Sequence, residues 1–197
     1  MEIRSLPQGP ESINDFQTEA MAITEVVKIG IKEQDNFDGI VVDCCADPGV
    51  YYLKRILRIP VAGPCESSLA IASMVSSKIG IVTIGNKAVK VLEEKVALLN
   101  YKDKVIYIGS IPLGVAELDN DMTVTKKMIK DQIAVATSKG ATLVVLGCTG
   151  FSGLAKDLQD ETGVPIVDPI QASIKILEDL IEMRMFNLSN ESRVKTE

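Results

Sequence analysis

Residues 39–49 read Gly39-Ile40-Val41-Val42-Asp43-Cys44-Cys45-Ala46-Asp47-Pro48-Gly49. A short apolar run ends on cysteine, and Asp47-Pro48-Gly49 then turns the chain into a helix with Pro48 in its first turn. The pattern returns at Leu143-Val144-Val145-Leu146-Gly147-Cys148-Thr149-Gly150. Each copy leads to a double-proline segment. Pro60-Val61-Ala62-Gly63-Pro64-Cys65-Glu66-Ser67-Ser68-Leu69 parallels Pro165-Ile166-Val167-Asp168-Pro169-Ile170-Gln171-Ala172-Ser173-Ile174 at an offset of 105 positions, against 104 between Cys44 and Cys148. Each half therefore holds a strand ending in cysteine, a turn, a helix and a proline-flanked strand, which reads as an internal repeat.

Outward from these segments, short β-rich runs alternate with amphipathic stretches, the pattern of βα units on a mainly parallel sheet. Strands are expected at 3–6, 39–44, 60–62, 79–83, 104–108, 142–146 and 165–167. Helices are expected at 12–31 (capped by Ser12), 50–57, 66–77, 124–139, 153–161 and 170–185, with another running to Leu99 after a loop at 84–86. The fold class is α/β: two pseudosymmetric parallel-sheet subdomains with the active site between them. The first is expected to combine residues 1–77 with 167–186 and the second to span 78–166, a return of the final strand and helix that rests on the family resemblance given below. Residues 187–197 are polar and expected to be a flexible tail.

The 197 residues are 46% hydrophobic, with aromatics at 4% and no tryptophan, so the core must be built from Val, Ile, Leu, Ala and Met. That composition suits buried parallel strands under helices. A net charge of −6 gives no basic footprint for nucleic acid. No apolar run approaches the roughly 20 residues that span a bilayer, and Met1–Pro10 does not read as a signal peptide. A cytoplasmic protein with reduced cysteines is expected.

Histidine is absent, and the four cysteines, Cys44, Cys45, Cys65 and Cys148, form no C-x-x-C. This disfavours structural zinc and removes Ser-His-Asp and Cys-His catalysis. No metal ligand set is expected. Acid/base chemistry must use Cys, a carboxylate, Lys or Tyr. Residues just past the C-terminal ends of parallel strands face the ligand crevice. Cys44 and Cys148 both stand there, so two facing halves bring two thiols to one cleft from opposite sides. One thiolate can take a proton from one face of a carbon while the other thiol returns one to the opposite face. Helix N-termini near Asp47–Pro48 and Ser152–Gly153 are expected to lower both thiol pKa values. Strand register alone allows Cys45 in place of Cys44. Asp47 reads as a cap and turn former. Glu66 and Asp168 read equally as caps or as loop-orienting or substrate contacts.

These residues carry a resemblance. Cys44-Cys45-Ala46-Asp47-Pro48-Gly49 resembles the C-x-x-D-P-G motif of hydantoin and allantoin racemases, within the aspartate/glutamate/hydantoin racemase superfamily. Pro60–Ser68 resembles that family's P-V-x-G-x-x-E segment, and Leu146–Phe151 its second cysteine motif. The resemblance runs from Gly9-Pro10-Glu11-Ser12-Ile13 to about Leu180. It implies Cys44 and Cys148 as the acid/base pair. It also implies Cys45, Ala46, Thr83, Thr149 and Gly150 at the substrate, although the side chain of Cys45, like that of Cys65, reads as packing. It implies no metal, no pyridoxal phosphate, a small-molecule substrate and a homo-oligomer. A 5-substituted hydantoin or related ureide is the first expectation, because relatives acting on glutamate use an auxiliary histidine.

The family also has a strand and an N-P-N-T-type loop ahead of the point where this chain starts, so residues 3–6 correspond to its second strand. The first sheet is expected to lack one strand, and the cleft one loop. The alternative is thus an N-terminally truncated, weakly active or noncatalytic ligand-binding member. A decarboxylase or cis–trans isomerase on the same scaffold and a nucleotide-binding module are further rivals. Two cysteines weigh against the decarboxylase, and the absent Gly-rich loop against the nucleotide module.

Overall fold

The computed structural model describes residues 1–185. The expected tail at 187–197 lies outside the described residues. The chain opens with α1 (Phe16–Glu33), followed by β1 (Ile40–Val41), α2 (Val50–Ile56), β2 (Val61–Ala62) and α3 (Pro64–Val75). It continues with β3 (Ile79–Ile84), α4 (Gly85–Leu98), β4 (Val105–Ile111), α5 (Met122–Ser138), β5 (Leu143–Leu146), α6 (Ala155–Thr162) and β6 (Ile166–Val167). Helix α7 (Pro169–Glu182) closes the described chain. The protein is α/β with parallel sheets: β1 pairs with β2, and a separate sheet has the order β4-β3-β5-β6.

Strand β3 is buried along its whole length because it lies between β4 and β5 and carries helices on both faces. Its side chains alternate. Ile79 and Ile81 pack with Leu69, Leu92, Val96, Leu143 and Val145, whereas Val82 and Ile84 pack with Ile129, Ile133, Val144, Leu146 and Phe151. This is the period of two expected of a pleated strand. The smaller sheet covers its own core of Val42, Val50, Leu53, Leu57 and Val61.

Residues 3–6 form no strand, and Ile3 is 83% exposed. An extended segment with no neighbour gains no ladder hydrogen bonds, so β propensity alone does not hold it. Helix α1 begins at Phe16, and its cap is Asp15 instead of Ser12. Asp15 Oδ1 accepts from the Thr18 N–H at 3.0 Å, and Thr18 Oγ1 accepts from the Asp15 N–H at 3.1 Å, a reciprocal capping box. The expected loop at 84–86 is also absent, since α4 starts directly at Gly85.

Helix α7 packs on α3, β1 and β2, whereas β6 pairs with β5. The last strand thus belongs to the second sheet, and only the last helix returns to the first. Among the described residues, no helix is long and apolar enough to cross a membrane.

Candidate active site

After β1, the Val42 N–H still donates to the Ala62 carbonyl, and the chain then turns, with the Asp47 N–H donating to the Cys44 carbonyl at 2.9 Å. Asp47 holds a positive φ of 48°. Its buried carboxylate reaches across to α3, accepting from the Cys65 and Glu66 N–H groups at 2.9 Å each. Asp47 therefore caps α3 from a distance and does not cap α2, whose N-cap is Gly49. Glu66 closes the same corner by accepting from the Gly63 N–H and pairing with Lys54.

After β5, the Gly147 N–H donates to the Val82 carbonyl at 2.7 Å, and Thr83 Oγ1 donates to the Gly147 carbonyl at 2.9 Å. The backbone of Gly147 lies close under Ile81 and Thr83, where a Cβ would clash. Cys148 follows at the strand end, then a single 3-10 turn, Thr149–Phe151, pinned by the fully buried Phe151 ring. Asp168 caps α7 by accepting from Ile170 and Gln171, and its second oxygen accepts from the Gly153 N–H at 2.6 Å. An aspartate thus ties the loop after each cysteine to a helix N-terminus, but from opposite sides of the gap. Asp47 stands on its loop, and Asp168 on its helix.

Cys44 and Cys148 face one cavity of about 260 Å³. Cys45, Ala46, Thr83, Thr149 and Gly150 also line it, so all seven expected site residues meet in one place. Two qualifications are structural. The Thr83 hydroxyl proton is committed to Gly147, and the Cys45 thiol points to the Leu146 carbonyl within the core. Cys65 is buried in the same core cluster, and neither Glu66 nor Asp168 lines the cavity.

Further lining residues come from parts the sequence reading did not assign to the site. Asp43 stands just before Cys44, and Pro10–Ile13, including Glu11, forms another wall. Asp43 could have been found from its place at a strand end beside Cys44. Glu11 is brought in by long-range contacts, since Asp15 pairs with Lys87 and Glu19 with Lys95, docking α1 on α4.

The thiols do not have the lowered pKa values expected of helix N-termini. Burial pushes the Cys44 thiol up to about 12, against a downward pull from the Ala46 N–H. Burial also raises Cys148, against the Gly150 N–H. The cause is local geometry. Helix α2 starts only at Val50 and a single turn follows Cys148, so each sulfur meets one backbone donor in place of a helix end. Both thiols rest protonated at neutral pH. Among the described residues, no group of three or more Cys, Asp or Glu side chains is placed to hold a metal ion.

Residues 1–177 match the family described as Asp/Glu/Hydantoin racemase. The chain is 29% identical over 177 residues to a hydantoin racemase of Pseudomonas sp. (strain NS671), covering 89% of this chain and 71% of that one. It is 31% identical over 179 residues to the hydantoin racemase of Paenarthrobacter aurescens, covering 89% and 76%. It is also similar to the solved allantoin racemase from Klebsiella pneumoniae, with a TM-score of 0.87, 26% identity, and coverage of 92% and 75%. A family match over nearly the whole described chain, together with the parallel α/β architecture, shows that the chain belongs to the Asp/Glu/hydantoin racemase family and is an isomerase.

Proposed function

We propose that the chain is a cofactor-independent racemase that inverts a carbon next to a carbonyl, using Cys44 and Cys148 as a two-base pair. The observation that carries this is the meeting of the two thiols, from the ends of β1 and β5, in one cavity. In one direction the first cysteine, as thiolate, takes the proton from the stereocentre and becomes a thiol. The electron pair passes into the neighbouring carbonyl as an enolate. The second cysteine then delivers its own proton to the opposite face and is left as thiolate. The reverse reaction exchanges the roles. The Ala46 and Gly150 N–H groups each stabilise the thiolate form of one sulfur.

A 5-substituted hydantoin or related ureide is the substrate class that fits. The cavity is small for a ligand site, its size suiting one small ring with a short substituent. Among the described residues, no Lys or Arg lines it to hold a substrate carboxylate. The two units would be residues 1–77 with the C-terminal helix and 78–166, an arrangement supported by the packing of α7 on β1, β2 and α3.

The test is deuterium incorporation at C5 of resolved hydantoins. The native chain should exchange and racemise both enantiomers. Cys44→Ser and Cys148→Ser should each abolish racemisation, with each leaving exchange of a different single enantiomer. Full activity in both variants would overturn the two-thiol reading.

A further inference from the structure

We infer that Asp43 is a specificity-determining residue that, with Glu11, makes this cavity select substrates by charge, admitting neutral or cationic C5 substituents and rejecting anionic ones. The inference rests on the racemase reading for the word substrate, though not for the charge of the cavity.

Among the described residues, Asp43 and Glu11 are the charged ones that line the cavity, and both are exposed. They approach from different parts of the chain, one before Cys44 and one from the segment ahead of α1. Neither has an ion-pair partner among the described residues. Two lysines of α4 pair with other carboxylates, Lys87 with Asp15 and Lys95 with Glu19. The negative charge is therefore uncompensated. Clefts lined by one sign of charge between apolar walls focus the field on what enters them.

Asp43 also acts on both ends of the proposed acid/base pair, because its charge contributes to raising Cys44 and Cys148 alike. A carboxylate that both thiols sense lies near the carbon they would share. It opposes formation of either thiolate, and it makes no side-chain hydrogen bond among the described residues that would hold the fold. A residue that impedes the chemistry and supports no structure fits a role in choosing the ligand. A second carboxylate on the substituent would meet this charge inside the cavity, whereas an ammonium would be drawn to it.

The charge is tested first without substrate, using methanethiosulfonates that carry a trimethylammonium or a sulfonate group. Modification is followed by mass spectrometry on the peptides holding Cys44 and Cys148. With each rate divided by that of the same reagent on a small free thiol, the cationic reagent should react roughly tenfold faster or more, and Asp43→Asn should narrow that normalised ratio while Asp43→Glu restores it. The substrate arm compares kcat/KM for two substituents of matched length, 5-(3-aminopropyl)hydantoin and 5-(2-carboxyethyl)hydantoin. Asp43→Asn should reduce the cation preference by roughly tenfold. If the native chain racemises both hydantoins and Asp43→Asn leaves their ratio unchanged, the charge selection is wrong and the racemase reading stands. If no hydantoin is racemised but the reagent ratio responds to Asp43, the substrate reading fails and the charged cavity stands. A reagent ratio of one in the native chain overturns the inference outright.

Discussion

The carboxylate of Asp47 fills the space that a side chain on Gly63 would need, because a Cβ built on Gly63 would overlap it. At the sequence offset of 105 positions, Gly63 corresponds to Asp168, which carries its own capping carboxylate. Helices α3 and α7 thus meet one requirement, an acceptor for their first N–H groups, with a carboxylate from opposite sides.

That relationship predicts a rescue. Asp47→Gly removes an acceptor shared by two N–H groups and should cost about 1–3 kcal/mol. Gly63→Asp alone places a second carboxylate in occupied space and should also destabilise. The double variant moves the carboxylate to its position in the second half. Asp47 has a positive φ that glycine accepts, and Gly63 has an extended φ of −106° that aspartate accepts. Denaturant melts should show the double variant more stable than the sum of the single losses. Simple additivity would mean that the two positions are independent.

Asp47 also sets a pH dependence of stability. Burial raises its pKa to about 7, above the ordinary 3.8. Between these values the folded state binds the proton more tightly than the unfolded state does. This contribution is therefore complete below about pH 4 and is lost as pH rises to about 7. Relative to Asp47→Asn, the native chain should lose on the order of a few kcal/mol of stability across that window. A native-minus-variant difference that stays flat or rises would contradict the assignment.

Catalysis should show the opposite slope. With Cys44 near 12 and Cys148 also raised, the thiolate fraction grows about tenfold per pH unit below the lower of the two values. The logarithm of kcat/KM should rise with a slope near one from about pH 6 to 8.5 without levelling off. A plateau near pH 7 in the free enzyme would show that a thiol is activated beyond what its single backbone donor provides.

Thr83 offers a test of position against contact. Its hydroxyl holds the carbonyl of Gly147, the residue before Cys148. Thr83→Val keeps the shape but leaves that buried carbonyl unpaired, at about 1–3 kcal/mol. If the bond positions Cys148, kcat should fall with KM little changed. A raised KM at constant kcat would instead assign Thr83 to substrate binding, as the resemblance implied.

Strands β3 and β5 were legible because 79–82 and 143–146 carry no polar side chain and both layers of helices can cover them. That Cys44 and Cys148 would line one cavity was legible because each follows a strand, a stronger signal than a lone thiol. The strand expected at 3–6 was misread because pairing depends on a neighbour that propensity does not supply. Asp47 was read as a local cap, but its acceptors serve N–H groups 18 and 19 residues away. The thiol pKa shift was expected in the wrong direction because a nearby turn is visible in sequence, whereas the depth of burial is not.

The sequence by itself determined the α/β class, the alternation of strands and helices, and the two strand-end cysteines, since these follow from period, turn chemistry and repetition along the chain. Only the tertiary structure decided that Pro10–Ile13 and Asp43 join the thiols around one cavity, that Asp47 serves α3, and that both sulfurs rest as thiols. The physical reason is that desolvation and charge act through space. They depend on which distant residues surround a group, and the chain order around Cys44 and Cys148 does not state that.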